Sequence, residues 1–222
     1  MIREYEDSDA EEGSALIAEH SPWFSTAAGT RHRLSSVPPR AHRKIWVAEA
    51  DGLIVGWGEA EFDWATEIED AGGVWAIVHP DHRRRGLGSA LFEQGVQHLT
   101  SHGARELRSW ADSESAPFLE RRGFVPGRVE RLSALDPRGV DTSRLDERPD
   151  GVRVVSLAEL LDRLPDVHAL YAEASADMPA DNPETNVPLD EWLDETIGSP
   201  DLDRDLSAVS YTHLTLPTTP YV

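Results

Sequence analysis

The chain of 222 residues is 39% hydrophobic and 28% charged, a composition that supports one large or two small domains with a true core. Its 41 acidic against 21 basic side chains leave a net charge of -20, which argues against a nucleic-acid partner because phosphate backbones are held by clustered Lys and Arg. The absence of cysteine excludes disulfides, thiolate metal sites and a Cys nucleophile, and the lack of a long apolar run or of an apolar leader after Met1 points away from membranes and toward the cytoplasm.

In chain order, Ile2 to Tyr5 reads as a short strand, and Ser8 or Asp9 caps a helix from about Ala10 to His20 with Ala15, Leu16 and Ile17 on its apolar face. Pro22, in Ser21-Pro22-Trp23-Phe24, ends it. Residues 25 to 42 carry no decisive period, and Ser35-Ser36-Val37-Pro38-Pro39 reads as irregular. Ile45 to Ala50 and Leu53 to Phe62 form a hairpin across Asp51-Gly52, a two-residue turn signal. Alternation sets Trp46 and Ala48 against Ile45, Val47 and Glu49 in the first strand. In the second it sets Ile54, Gly56, Gly58 and Ala60 against Val55, Trp57, Glu59 and Glu61. The two glycines invite a bulge or the close approach of another group. Asp63 to Gly73 reads as a polar loop.

The stretch from Val74 to Leu91 organises the rest. Val74 to Val78 is an apolar strand, and Ala90, Leu91, Val96 and Leu99 give the segment from Leu87 onward the spacing of an amphipathic helix. Between them lies an Arg-rich, Gly-rich turn. Gly86 and Gly88 have no Cβ to hold a ligand off, and the N–H groups of Arg85 to Ser89 at the start of the helix lack intrahelical partners and favour an anion. Two glycines alone fit a plain strand-to-helix turn with solvated arginines equally well. Three consecutive arginines, Arg83 to Arg85, in so acidic a chain favour a phosphate or pyrophosphate. A mononucleotide P-loop would need a lysine, and Lys44, the one lysine, is far away; a dinucleotide fingerprint would need a third glycine sooner after Gly88.

Glu106 to Ala111 reads as a further strand, and Ser113 to Arg122 as a short helix closed by Gly123 in the left-handed conformation. Phe124-Val125 and Val129 to Leu135 form a final strand or bent pair with Leu132 and Leu135 pointing inward. Asp136 to Gly151, rich in Pro, Gly, Asp and Arg, reads as a linker. A second start follows, with a strand from Val152 to Ser156 and then a helix from Leu157 to Ala174 carrying Leu157, Leu160, Leu161, Leu164 and Val167. Pro179, Pro183 and Pro188 punctuate a loop before another short helix at Leu189 to Leu193. From Val209 to Val222 there is no Asp, Glu, Lys or Arg.

Arg83-Arg84-Arg85-Gly86-Leu87-Gly88, with the strand and His79-Pro80 before it, resembles the Arg/Gln-x-x-Gly-x-Gly/Ala acyl-CoA signature of the GCN5-related N-acetyltransferase (GNAT) superfamily. Ala116-Pro117-Phe118-Leu119-Glu120-Arg121-Arg122-Gly123-Phe124 resembles that family's second landmark, Ala-x-x-Phe-Tyr-x-x-x-Gly-Phe. The order of elements extends the resemblance over residues 1 to 136. It implies an α/β (α+β) fold, a mixed and mostly antiparallel central sheet flanked by helices. A linker at 137 to 151 and an incomplete second unit of the same type at 152 to 208 would follow, as in tandem members such as mycothiol synthase. Residues 209 to 222 resemble a translated sequencing-adapter tail, so the natural chain is expected to continue differently beyond about Ala208.

The resemblance further implies acetyl-CoA as co-substrate, a small-molecule primary amine as acceptor, a monomer or homodimer, and no metal. Backbone at Arg84, Arg85, Gly86, Leu87, Gly88 and Ser89 would hold the pyrophosphate while the side chains of Arg83, Arg84 and Arg85 neutralise it. Ile77 and Val78 would line the pantetheine arm, and Asp112 stands where an Asn commonly touches CoA. Trp110 and Phe118 either line the same channel or belong to the core.

Acyl transfer to an amine needs a base, a donor for the developing oxyanion and an outlet for the thiolate. The donor is expected to be a backbone N–H of the signature strand, that of Val78. Val74, Trp75 and Ala76 fill the strand where the family often places a Glu, so Glu59 or Glu61 on the adjoining strand is the base unless both are solvated edge residues. His79 is a second candidate or a plain turn residue. The usual acid, the Tyr of Phe-Tyr, is replaced by Leu119. Either the thiolate leaves unassisted or this unit is a weak or silent CoA-binding half of a tandem acetyltransferase. Trp23, Phe24, Arg31, His32 and Arg33 are candidate acceptor contacts, with Trp23 and Phe24 alternatively plain core.

Overall fold

A computed structural model of the chain describes residues 1–20, 25–66, 68, 70–129, 135–141, 151–176 and 187–211. They divide into two units, Met1–Phe124 with Met178–Leu202 and Val125–Asp177 with Asp203–Val222.

The first unit is built on a five-stranded sheet in the order β1 (Ile2–Glu4), β2 (Lys44–Ala50), β3 (Leu53–Phe62), β4 (Ala71–Val78) and β5 (Glu106–Arg108). Neighbours are antiparallel as far as β4, and β4 pairs with β5 in parallel. The β2–β3 hairpin turns at Asp51 and Gly52, whose φ values of 54° and 79° are both positive, as a two-residue turn matched to strand twist requires. Helices α1 (Ala10–His20) and α2 (Ala27–Ser36) cover one face, where Leu16, Ile17, Ile45, Val47 and Trp57 pack together. On the other face α3 (Leu87–Ser101) buries Leu91, Phe92 and Leu99 against Trp46, Ala60 and Val74, each such side chain contributing about 1.5–3 kcal/mol. A Cβ at Gly58 would lie 3.0 Å from the Leu91 Cβ, so the glycines of β3 are what let α3 approach the sheet. The short α4 (Ala116–Glu120) follows, and Gly123 after it has a φ of 86°, the left-handed end expected there.

The structure departs from the pattern reading in specific places. The register shifts between Ala48 and Glu49, so Val55 becomes an extra residue and the parity of β3 flips before it: Val55 joins the α3 face and Ile54 the α1 face. β4 begins at Ala71, not Val74, because Gly72 and Gly73 pair on both edges, with Phe62 and Glu61 on one side and with Leu107 and Arg108 on the other. β5 stops at Arg108 and the helix after it is shorter than expected. Residues 27–36, without a decisive period in sequence, are helical, and the helix takes in Ser35 and Ser36, expected to be irregular. Residues 130–134, most of the expected final strand, lie outside the described residues.

Expected as part of a second unit, residues 152–208 are instead shared between the two units. Residues 187–202 fold with the first unit; they are helical at Leu189–Trp192 and continue as one π-turn over Leu193–Ile197. Their carboxylates and carbonyls complete α2, as described below. The second unit holds the helix α5 (Leu164–Ala176), preceded by 3-10 turns over Leu157–Arg163, and a two-stranded antiparallel sheet of β6 (Arg153–Ser156) and β7 (Ala208–Tyr211). No helix among the described residues is long and apolar enough to cross a membrane.

The start of the first unit is tied by charge. Arg3 donates to both carboxylate oxygens of Asp9, at 2.6 and 2.7 Å, and the Glu6 amide donates to Asp9 at 2.8 Å. The Arg3 hydrogen bonds hold the Asp9 carboxyl below its ordinary pKa, so this stabilisation is present above the usual carboxylate range and is lost as pH falls through the lowered value. Asp9→Asn is expected to cost about 1–2 kcal/mol at pH 7. Urea unfolding of variant and parent should converge in acid, where Asp9 is protonated in both states.

Candidate functional site

The turn from β4 to α3 has the geometry the glycines suggest. After a 3-10 turn at Pro80–His82 the chain passes through Arg84 (φ 63°) and Gly86 (φ 84°), both left-handed, before α3 begins at Leu87. Among the described residues a Cβ at Gly86 would meet nothing within 4 Å, so its cost against them is the backbone conformation alone. Ala90 N donates to Gly86 O at 3.0 Å, the first helical bond. The N–H groups of residues 84–89 have no acceptor among the described residues, and Arg83 to Gly86 are exposed. Unpaired amides at a helix start among three arginines form an anion cradle. Arg122, missed by pattern, adjoins it: Nη2 donates to Ser89 Oγ at 2.8 Å, and the guanidinium lies 3.7 Å over the Phe118 ring.

Beside the cradle the sheet opens. β5 pairs with β4 only at Ala71, Gly72 and Gly73, and Val74 to Val78 have no partner strand on that edge among the described residues. The pairing with β3 decides where their amides point. Asp63 N donates to Ala71 O and His79 N to Val55 O, so the odd-numbered peptide groups of β4 face β3. Those of Val74, Ala76 and Val78 therefore face the opening. The Val78 carbonyl is taken by Arg83 Nε at 2.9 Å, which ties the cradle's first arginine to the strand end.

The carboxylates of β3 form a separate cluster on the α1–α2 face. Glu59 is 2% exposed and accepts from Arg33 Nη1 and Nη2 at 3.1 and 3.3 Å and from Trp57 Nε1 at 3.3 Å, with Arg43 Nε 3.3 Å away. A solvated edge position is thereby excluded for it, and so is a free base: two guanidiniums and an indole occupy its oxygens. Glu61 keeps some access, with 27% of its side chain exposed, and Arg43 Nη2 reaches it at 2.6 Å. Burial raises the Glu61 pKa above its ordinary value, and Arg43 opposes that shift. Gly73 stands opposite Glu61 on β4, and among the described residues a Cβ there would meet nothing within 4 Å, so none of them fills the space beside this carboxylate. Arg43 carried no signal in the sequence, where an arginine just before a strand reads as solvated.

Other expected residues are engaged elsewhere. Asp112 Oδ1 accepts from Ser115 Oγ, Ser115 N and Glu114 N at 2.6, 2.8 and 3.1 Å; the Ser115 bonds hold its carboxyl below the usual range and make it a turn cap. Leu119 is buried in the core with Phe92, and Trp110 is 58% exposed. His79 Nδ1 accepts from the Asp81 amide at 3.3 Å, a turn-residue role. Arg31 pairs with Asp7, and His32 contacts the Glu195 carbonyl at 3.3 Å. Trp23 and Phe24 lie outside the described residues. No group of three or more His, Asp or Glu among the described residues could hold a metal ion.

Residues 41–126 match the family model described as an acetyltransferase (GNAT) domain. Mycothiol acetyltransferase of Geodermatophilus obscurus is 33% identical over 125 residues, 55% of this chain and 39% of that protein. The Stackebrandtia nassauensis mycothiol acetyltransferase is 30% identical over 107 residues, 47% of this chain and 33% of that protein. The chain thus spans well under half the length of these relatives. Among solved structures, glucosamine-6-phosphate N-acetyltransferase from Arabidopsis thaliana aligns with a TM-score of 0.50 at 21% identity, over 61% of this chain and 98% of its own. A GNAT-family acetyltransferase from Streptococcus pneumoniae gives 0.50 at 20% identity, over 61% and 90%. Residues 41–126 thus match an acetyltransferase (GNAT) domain and the first unit has the GNAT fold, with the arginine- and glycine-rich turn and the opened sheet lying inside the matched stretch.

Proposed function

We propose that this domain binds acetyl-CoA and transfers its acyl group to the primary amine of a small molecule by direct attack. The carrying observation is the coincidence of the cradle with a strand whose alternate amides face an unpaired edge. The thioester supplies an activated acyl group. The amides of Arg84 to Ser89 hold the diphosphate, with Arg83, Arg84 and Arg85 neutralising it, and Ile77 and Val78 flank the arm. Glu61 lies opposite Gly73, five residues from Val78, which is roughly 17 Å along a strand. Glu61 and Val78 therefore cannot serve one reacting centre. The Ala76 amide, between them, is the better donor to the carbonyl oxygen, with Glu61 taking the amine's proton through a water.

Calorimetry with CoA and thioester-consumption assays over a panel of small primary amines test this reading. Gly86→Ala puts a side chain in a left-handed conformation at about 1–2 kcal/mol, so CoA binding should weaken about tenfold. Equal affinity of the two proteins would remove the cradle from the site. One observation favours the competing reading, a CoA-binding half without turnover: the position of the usual acid is a leucine buried in the core. Tight CoA binding with no consumption across the panel would establish that reading instead.

A further inference from the structure

Asp201 lies 175 residues along the chain from Thr26, yet its carboxylate closes the first turn of α2. It accepts from Thr26 N and Ser25 Oγ, each at 3.1 Å, and from Thr26 Oγ1. Thr26 in turn caps Gly29 N at 2.9 Å. A Cβ at Gly29 would sit 1.8 Å from Asp201 Oδ2, so the glycine makes room for the carboxylate. The same segment grips α2 and its continuation again, through the Glu195 carbonyl on His32 and the two Glu191 oxygens on Arg40. One helical turn beyond Gly29 on the same face is Arg33, which holds Glu59 in its fork.

We propose that Asp201 is a positioning latch: by holding the first turn of α2 it keeps Arg33 on Glu59 and, through the Arg43 shared by both carboxylates, sets the place of Glu61. Only the role given to Glu61 rests on the acetyltransfer reading; the coupling itself does not. Trp57 provides the readout, because its indole N–H donates to Glu59 and reports the cluster. Its indole resonance can be assigned by its loss in Trp57→Phe. In Asp201→Ala that resonance should move, and amide hydrogen exchange over residues 27–33 should accelerate about tenfold. Amides 84–89 and CoA affinity should not change. Gly29→Ala attacks the latch from the other side and should move the same resonance. The double variant should be no worse than Asp201→Ala alone, since the clash has been removed. If exchange accelerates while the Trp57 signal stays in place in both variants, Asp201 is a local cap and the latch is overturned. Should no amine be turned over, the indole signal still decides the matter.

Discussion

Glu59→Leu is expected to cost the fold about 3–5 kcal/mol, because it leaves the charge of Arg43 buried with half of its compensation gone. The Arg43 side chain is 6% exposed and cannot turn to water, whereas Arg33, 34% exposed, can. Glu59→Gln keeps the volume and an acceptor for the Trp57 indole and should lose less. The companion change Arg43→Met in the Glu59→Leu background should recover part of the loss, since it removes the orphaned guanidinium but leaves Glu61, 27% exposed, without its partner. Urea unfolding at pH 7 measures all three. A loss below about 1 kcal/mol for Glu59→Leu would mean that Arg43 finds another partner and that the cluster does not hold α2 to the sheet.

What the sequence disclosed and what it hid follow from the range of the interactions involved. The β4–α3 turn was legible because its cause is local: a left-handed position asks for Gly86 whatever surrounds it. The alternation of β2 and the turn at Asp51-Gly52 are equally local. α2 was not legible, since its buried positions are Gly29 and Thr30, residues that ordinarily signal turns. Its first turn is closed by Asp201 from far along the chain, and no window of sequence contains both partners. Glu59 was hidden for the same reason. At an alternating strand position a carboxylate reads as solvated, and only Arg33 on α2 and Arg43 before β2 reveal that it is buried. The opening between β4 and β5 arises because β5 ends at Arg108 while β4 runs on to Val78. The single-residue bulge at Val55 inverted the face of Ile54, an error that strict alternation cannot avoid.

Glu61→Gln is expected to lower kcat by about 100-fold for whichever amine the parent protein acetylates, the ordinary worth of one general base. The pH profile carries the sharper test. A base acts ionised, so the rate should rise with pH through the Glu61 pKa, which burial lifts above the usual carboxylate range. That acid limb should vanish in Glu61→Gln. The neighbours facing Glu61 set the sign of further shifts: Arg43 and Arg33 lower its pKa and Glu59 raises it. Glu59→Gln removes a repelling charge and frees Arg43 for Glu61, so the limb should move to lower pH; Arg43→Gln should move it to higher pH. Stability runs the other way. A carboxyl whose folded pKa is raised stabilises the fold below its unfolded value, and that contribution fades as pH rises through the raised pKa. Glu61 thus favours the fold in acid and the reaction toward neutrality, and an acid limb caused by unfolding would not shift in opposite directions in the two variants. A limb that survives Glu61→Gln, or that ignores Glu59 and Arg43, would assign the proton to another group.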